Sequence, residues 1–192
     1  RVTAVPSSPR REIPLLSPTQ VARPHMISCY QLTVSKPRNG GFLFDDATFE
    51  IGSGEWVEIQ GPTGSGKTLL FNLLSLRARK PSTKLIVTGR NVDRLGPDGW
   101  AELRKAIGSC PEVPEFLEDR SLVENLLVPF VARGEHEGAY ETVRQVLVEA
   151  DMEELADVDL RNLSLTERNG AGVLRALVGR PDLILLDEIL PR

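Results

Sequence analysis

The sequence predicts an α/β domain built on a mainly parallel sheet, and three observations support this prediction. Short apolar strands alternate with helices, which is the pattern of a parallel sheet covered on both faces. A glycine-rich loop at 61–68 joins a strand to an apolar helix, and a fully apolar strand at 183–186 ends in the acids Asp187 and Glu188. At 192 residues, the chain is long enough for one domain that carries a small subdomain.

The N-terminal part divides into a tail and the start of the domain. Residues 1–25 are rich in proline, serine and arginine, a composition that predicts a disordered tail before a domain at 26–192. Alternating apolar residues predict strands at 27–34 and 42–51, and the glycines at 39–41 predict the turn between them. Together these strands predict an antiparallel β element on the N-terminal side of the sheet.

The middle of the chain alternates strands and helices. We expect a strand at 56–60 that leads into the glycine-rich loop, and then a buried helix at 68–79, because its residues are apolar on nearly every face. A strand at 85–88 and a helix at 98–107 follow.

A helical subdomain is expected at about 110–165, inserted between strands of the sheet. Apolar spacing predicts helices around 121–131 and from 138 to 150 within it. A last helix at about 165–178 then leads to the apolar strand at 183–186.

Composition argues against several classes of partner. The formal net charge of −4 argues against nucleic acid or an anionic membrane surface as the main partner. No apolar run is long enough to span a bilayer, and residues 1–24 lack the apolar core of a secretory signal. The sequence therefore predicts a cytoplasmic protein whose membrane role, if it has one, comes through a partner.

The loop at 61–68 fits the phosphate-binding pattern G-x-x-x-x-G-K-[ST] in full. Its residues are Gly61, Pro62, Thr63, Gly64, Ser65, Gly66, Lys67 and Thr68. Glycines let backbone N–H groups curl around a phosphate, and the N-terminus of the next helix adds partial positive charge. Lys67 can reach the β- and γ-phosphates of ATP, and the Thr68 hydroxyl can bind Mg²⁺. A chance glycine-rich turn is the alternative, but the preceding strand and the following helix favour the P-loop NTPase fold.

Asp187 and Glu188 form an acidic pair at the end of the last strand. The carboxyl ends of parallel strands face the ligand crevice, so Asp187 is predicted to bind Mg²⁺ and Glu188 to activate the attacking water. Solvated acids at a strand end are the alternative, and the upstream phosphate loop favours the catalytic interpretation.

Four short stretches of the sequence occur in the order that is typical of a known family. They are the phosphate loop, the stretch Ile107-Gly108 with 117–126, the start of a signature at Leu163-Ser164, and Arg175-Ala176-Leu177 leading to 183–188. Over residues 26–190 the chain resembles the ATPase subunits of ABC transporters, and it looks most like their lipoprotein-export and cell-division branch (LolD/FtsE-like). The resemblance implies that two such subunits, as a homo- or heterodimer, enclose two ATP molecules. It also implies a transmembrane permease subunit that docks near 110–130 and holds the chain on the inner face of the membrane.

The sequence departs from the family pattern at several positions. Glu112 stands at the Q-loop position, where it brings a negative charge near the γ-phosphate. Ser164 retains the signature hydroxyl for nucleotide binding, but Leu165 and Thr166 replace the signature glycines.

Three further elements of the family are missing from the sequence. No aromatic stands at 36–38, where the family places its adenine-stacking residue, and Tyr30 is a distant substitute. The match ends near Arg192, before the family's D-loop and switch histidine, so we expect a fragment or a truncated relative.

The leading hypothesis is an ATP-binding and ATP-hydrolysing subunit of an ABC-type complex, with weakened hydrolysis. A non-hydrolysing nucleotide-binding scaffold is the alternative, favoured by Glu112 and Leu165. An unrelated phosphate-loop enzyme, such as a small-molecule kinase or a helicase, is a third hypothesis, for which neither an arginine-rich lid nor a basic face is evident.

Overall fold

The computed structural model describes residues 2–4, 25–35, 42–78 and 84–188. The chain forms two compact units: the first comprises Arg1–Lys67 and Lys80–Leu95, and the second comprises Thr68–Arg79 and Gly96–Arg192. Within the described residues, no helix is both long enough and apolar enough to cross a membrane.

The first unit consists of β-strands. They are β1 (Val2–Ala4), β2 (His25–Ser35), β3 (Phe42–Gly52), β4 (Val57–Ile59), β5 (Lys84–Val87) and β6 (Arg90–Asn91). One sheet has the order β3-β2-β5-β6 and is antiparallel throughout, and a separate antiparallel pair joins β1 to β4. The pairing of β2 with β3 is the antiparallel β element that the sequence predicts, while the expected turn at 39–41 lies outside the described residues.

The β1 strand lies within the segment predicted to be a disordered tail. Val2 pairs with Ile59 and Ala4 with Val57, so a short β-branched stretch adds to the edge of β4. Residues 5–24 lie outside the described residues, and the disorder proposed for them is untested.

The core of the first unit lies on one face of the larger sheet. Ile27 and Cys29 of β2 are buried together with Leu85 and Val87 of β5, and Val92 joins them from the short 3-10 turn after β6. The alternation along β2 and β5 explains this arrangement, because every second side chain of a strand points to the same face.

The second unit contains the helices and one parallel strand pair. Its elements are α1 (Lys67–Leu74), whose first residue belongs to the first unit, α2 (Pro97–Lys105), β7 (Ile107–Cys110), α3 (Leu122–Arg133), α4 (Ala139–Glu149), α5 (Leu165–Leu177) and β8 (Leu183–Leu186). Helices α3, α4 and α5 and strand β8 agree with the predicted positions to within two residues. Among the described strands, β7 and β8 pair in parallel.

Helix α1 is shorter than the predicted helix at 68–79. It ends at Leu74 because Leu76 adopts a left-handed conformation with φ of 57°. The N–H groups of Arg77 and Ala78 then both donate to the Asn72 carbonyl, at 2.9 and 3.0 Å, which closes the helix end. The predicted burial is confirmed, since Leu70, Phe71, Leu73 and Leu74 are all buried.

Strand β7 is another element that the sequence prediction missed. Residues 107–110 pair in parallel register with 183–186, although their local sequence is not rich in β-branched residues. Gly108 explains the placement, because a Cβ on this residue would lie 2.0 Å from the Ala176 carbonyl oxygen of α5. The glycine lets the helix approach the strand closely.

The core of the second unit lies between α3, α4 and α5. Leu122 and Leu126 of α3 pack with Val143 and Leu147 of α4, and Ala171 contributes from α5. The first turn of α3 is closed by a capping box, in which Ser121 and Glu124 each bind the other's backbone N–H.

Candidate functional site

The phosphate loop connects β4 to α1 and has the backbone conformation that its glycines predict. Gly64 and Gly66 have φ of 78° and 97°, in the region that favours glycine. A hydrogen bond of 3.1 Å from the Ser65 N–H to the Pro62 carbonyl tightens the turn. Glycine at position 61 also lets the Ser65 side chain approach the loop backbone closely, because a Cβ on Gly61 would lie 2.6 Å from the Ser65 Oγ.

The Lys67 side chain folds back over this loop. Its Nζ donates to the Gly61 carbonyl at 3.1 Å and approaches the Pro62 carbonyl at 3.5 Å. The ammonium group is therefore held at the mouth of the loop, where a bound phosphate would exchange carbonyl contacts for stronger, charge-assisted hydrogen bonds.

Phe44 of β3 forms one wall of the loop, and sequence reasoning missed it. A Cβ on Gly66 would lie 3.0 Å from Phe44 Cζ and 3.2 Å from Cε2, so the ring edge rests against this glycine. Phe44 is 22 positions before Gly66 in the sequence, and no local pattern connects the two.

Thr68 and the acidic pair belong to the second unit. Thr68 is an exposed residue in the first turn of α1. Asp187 directly follows β8, and its N–H donates to the Cys110 carbonyl at 3.0 Å, which extends the parallel ladder to the carboxyl end of the strand.

The Asp187 side chain has the properties of a metal ligand. It is 6% exposed, and its Oδ2 atom is buried without a hydrogen-bond partner in the part of the chain that the structure describes. A buried carboxylate oxygen is costly unless it binds a donor or a cation, so the residue fits Mg²⁺. No group of three or more His, Cys, Asp or Glu residues that could hold a metal ion occurs among the described residues.

Glu188 is exposed and has an unusual backbone. Its φ of 46° places a non-glycine residue in the left-handed region. Such conformations cost energy and concentrate at functional sites, where they aim a side chain. The conformation is compatible with the predicted role of Glu188 and does not test it.

Glu112 lies at the start of an exposed loop that joins β7 to α3. Pro114 anchors the loop against α5, because Gly172 leaves room for it: a Cβ on Gly172 would lie 2.7 Å from Pro114 Cγ and 2.7 Å from Cys110 Sγ. Gly172 is thus required for packing at this position.

The same loop is fixed to α5 by Arg168. This guanidinium binds both carboxylate oxygens of Glu118, with the longer bond at 2.8 Å, and donates to the Leu160 carbonyl at 2.7 Å. The Phe116 ring lies 5.5 Å from the Arg168 guanidinium and 4.5 Å from that of Arg175. Hydrogen bonds from Arg168 hold the pKa of the Glu118 carboxyl below its usual range.

Ser164 is the N-cap of α5, and its hydroxyl already has a partner. Ser164 N and Oγ donate to Glu167 Oε2 at 2.7 and 2.6 Å, and the Glu167 N–H returns a bond of 3.3 Å to Ser164 Oγ. These bonds hold the pKa of the Glu167 carboxyl below its usual range. Leu165 follows with 76% of its surface exposed. To donate to a nucleotide phosphate, the Ser164 hydroxyl would have to give up the bond that it donates to Glu167 Oε2.

Tyr30 stays an untested substitute for the missing aromatic, and its side chain makes two contacts in the first unit. Its hydroxyl donates to Glu50, and the Lys84 ammonium lies over its ring, 5.2 Å from the centroid. Residues 36–38 lie outside the described residues.

The phosphate loop and the parallel strand that ends in Asp187 define a P-loop nucleotide-binding protein. The model of the family described as "ABC transporter" matches residues 44–190. The chain therefore belongs to the ABC transporter family. This membership agrees with the resemblance stated from the sequence and argues against a small-molecule kinase or a helicase.

Curated relatives carry related names. The chain is 30% identical over 148 residues to the lipoprotein-releasing system ATP-binding protein LolD of Chromohalobacter salexigens, covering 76% of this chain and 62% of that protein. It is 30% identical over 143 residues to the ABC transporter ATP-binding protein YxdL of Bacillus subtilis, covering 73% and 56%. It is 29% identical over 150 residues to the methionine import ATP-binding protein MetN 1 of Rhodococcus jostii, covering 76% and 44%. The chain thus spans less than two thirds of the length of each.

Solved structures confirm the fold class. A dimeric post-hydrolysis form of the ATP-binding cassette MJ0796, bound to ADP and Pi, matches with a TM-score of 0.76 and 21% identity, covering 85% of this chain and 74% of that chain. A second dimeric structure of MJ0796, a bacterial ABC transporter cassette, matches with the same TM-score and coverage at 22% identity. At these identities the likeness establishes the fold, as predicted: an α/β cassette with an antiparallel β element and helices.

Proposed function

We propose that the chain is the ATP-binding and ATP-hydrolysing subunit of an ABC-type membrane transport or cell-envelope complex. The observation that carries the proposal is the phosphate loop, in which two glycines with positive φ shape the backbone and Lys67 Nζ binds the loop's own carbonyl at 3.1 Å. A backbone of this kind followed by a helix N-terminus attracts the terminal phosphates of a nucleotide.

In the proposed mechanism each residue has a separate task. The backbone of 61–68 and the Lys67 ammonium bind the β- and γ-phosphates, while Thr68 and Asp187 would hold Mg²⁺, supported by the unpaired Asp187 Oδ2. Bound Mg²⁺ neutralises charge that develops on the phosphate oxygens. Glu188 acts as the general base, accepting a proton from the water that attacks the γ-phosphate.

Turnover is proposed to be weak in a homodimer of this chain. Three features support this: the extra negative charge of Glu112, the Cβ atoms of Leu165 and Thr166 in place of the signature glycines, and the Ser164 hydroxyl bound to Glu167 at 2.6 Å. A partner cassette with an intact signature would supply the missing contacts to the nucleotide held by this chain's phosphate loop. A heterodimer with one competent site is therefore proposed.

A transmembrane permease subunit is proposed to dock near residues 110–130, which would place the chain on the inner face of the membrane. Exposed apolar side chains in this segment support docking: Val113 is 76% exposed and Leu117 is 52% exposed. A polar pocket of about 440 Å³ adjoins the segment, lined by Asn72, Arg77, Ala78, Arg104 and Glu115. The identity with LolD supports the lipoprotein-export branch as the source of such a partner.

A non-hydrolysing scaffold is the second candidate, because the capped Ser164 and the exposed Leu165 weaken the signature. Steady-state ATP turnover distinguishes the two functions. We expect Mg-ATP turnover by the chain, faster with a cassette that has an intact signature, and its loss in Glu188→Gln with Mg-ATP affinity retained.

Glu141→Gln is the matched control, since Glu141 is an exposed acid on α4, and it should retain wild-type turnover. If the wild type and Glu188→Gln both bind Mg-ATP and neither turns it over, even with an intact partner cassette, the scaffold function replaces the enzymatic one. Equal turnover with and without that partner would contradict the asymmetric dimer.

A further inference from the structure

The second unit contains a polar pocket that the proposed mechanism does not use. Its volume is about 440 Å³, and it lies between the closed end of α1, the last turn of α2 and the loop after β7. The residues that line it are Asn72, Arg77, Ala78, Arg104 and Glu115. Val113 and Leu117, the exposed apolar residues proposed for docking, are not among them, so the pocket is a separate surface of the same unit.

Ion pairing distinguishes the arginines of this pocket from most others in the second unit. Five arginines bind a carboxylate at distances no longer than 3.5 Å: Arg120, Arg133, Arg144, Arg161 and Arg168. Arg77 and Arg104 form no ion pair with any described residue, although Lys105 next to Arg104 binds Glu102 at 2.7 Å. Both guanidiniums are exposed, so their N–H donors are available to a ligand.

Arg175 adds a third unpaired positive charge beside the pocket. Its side chain is partly buried and its guanidinium lies 4.5 Å from the centroid of the Phe116 ring, yet it binds no carboxylate in the described part of the chain. Burial lowers the pKa of this guanidinium, and the charges of Arg77 and Glu115, which line the pocket, act on it as well. Since a cation held partly out of water without an anionic partner is costly, an anion bound nearby would stabilise it.

The charges around the pocket favour a phosphate group. Arg77, Arg104 and Arg175 bring three positive charges, and Glu115 is the one carboxylate among the described lining residues. The surplus of two positive charges matches a phosphate monoester, which carries roughly −1.5 to −2 at neutral pH. Guanidinium groups bind phosphate oxygens through pairs of parallel hydrogen bonds, and the two exposed guanidiniums come from different helix ends. The volume is in the range of pockets that bind small molecules.

We propose that this pocket binds the phosphate group of a small phosphorylated molecule, held by the guanidiniums of Arg77 and Arg104 and attracted by the charge of Arg175. The site is separate from the phosphate loop, because Lys67 and the loop before it belong to the first unit. Binding here therefore does not require that the loop bind ATP.

Calorimetric titration of the full chain with glycerol 3-phosphate tests the assignment, with glycerol as the ligand that lacks the phosphate. We expect saturable binding of glycerol 3-phosphate and none of glycerol. Arg77→Gln and Arg104→Gln should each weaken binding by about tenfold, because each removes charge-assisted hydrogen bonds. Arg77→Lys, which keeps the charge and loses the paired donors, should have an intermediate affinity.

Two matched controls locate the binding. Arg180→Gln removes an exposed arginine of the second unit that also forms no ion pair with a described residue and does not line the pocket. Its affinity for glycerol 3-phosphate should equal that of the wild type. Lys67→Ala alters the phosphate loop and should likewise retain the binding.

Three results would overturn the assignment: no binding to the folded wild type, wild-type affinity in both Arg77→Gln and Arg104→Gln, or a loss in Lys67→Ala that the pocket variants do not share. The last result would place the ligand at the phosphate loop. Should Arg77→Gln fail to fold, Arg104→Gln decides alone, since Arg104 is exposed on α2. Failure of the wild type to bind Mg-ATP would overturn the proposed function and leave the result for the pocket unaffected.

Discussion

Replacing Gly66 with alanine tests the geometry of the phosphate loop most sharply. Gly66 has φ of 97°, beyond the left-handed region at about 50–70° that residues with a Cβ can enter. Strained conformations of this kind cost about 1–3 kcal/mol. The added Cβ would also lie 3.0 Å from Phe44 Cζ, so the ring or the loop must move.

Gly64→Ala is the comparison variant, because it lacks the contact with Phe44 and carries less backbone strain. Gly64 has φ of 78°, closer to the left-handed region, and a Cβ there meets nothing within 4 Å. Its cost should be about 1 kcal/mol, from backbone conformation alone. Gly66→Ala should therefore cost about 1–2 kcal/mol more than Gly64→Ala, once the strain and the displaced ring are added.

The strain has two measurable consequences. If the loop keeps its conformation in the variant, the free energy of unfolding falls. If the loop instead relaxes in the free protein, the strained conformation must be restored on binding, and Mg-ATP affinity falls by about tenfold per 1.4 kcal/mol. Urea denaturation without ligand and calorimetry with Mg-ATP measure the two parts. A summed loss for Gly66→Ala no larger than that for Gly64→Ala would refute the placement of Phe44 against the loop.

Two further predictions concern α5 and the loop that packs on it. Gly172→Ala should lower the free energy of unfolding by about 1–3 kcal/mol, because the new Cβ would lie 2.7 Å from Cys110 Sγ. Gly170→Ala should raise it by up to about 1 kcal/mol through helix propensity, since the nearest neighbour is an ordinary contact at 3.5 Å; denaturant titrations that rank the two variants in the opposite order would contradict this packing. Because Arg168 lowers the pKa of Glu118 in the folded state, the ion pair of these two residues stabilises the fold at neutral pH. This contribution is lost as the pH falls below about 4.3, the usual pKa of a glutamate in the unfolded chain. The stability difference between wild type and Glu118→Gln should accordingly shrink between pH 7 and pH 3, and a constant difference would show that the ion pair does not contribute.

Local sequence patterns predicted the elements whose formation depends on local chemistry. The phosphate loop is such an element, because its conformation needs glycine at fixed positions. The helices predicted around 121–131 and from 138 to 150 also follow from local sequence, and the structure places them at Leu122–Arg133 and Ala139–Glu149. Strand β8 was predicted because four consecutive apolar residues precede the acidic pair.

Tertiary contacts decided the remaining features. Residues 107–110 form a strand because β8 pairs with them and because Gly108 admits α5, two facts that their own sequence does not contain. The contact of Arg168 with Glu118, 50 positions away, and that of Phe44 with Gly66 likewise depend on the tertiary fold and are not contained in the local sequence. The nucleotide-binding role of Ser164, which the resemblance implies, stays a prediction, and the bond of its hydroxyl to Glu167 in the cap of α5 depends on the folded helix.

The central claim is that the loop at 61–68 binds the terminal phosphates of Mg-ATP through Lys67. Calorimetric titration of Mg-ATP into wild type, Lys67→Ala and Lys105→Ala tests it directly, since Lys105 is paired with Glu102 on α2, outside the loop. We predict saturable binding to wild type and Lys105→Ala, and no detectable binding to Lys67→Ala. Equal affinity of Lys67→Ala and wild type, or no binding to the folded wild type, would contradict the claim.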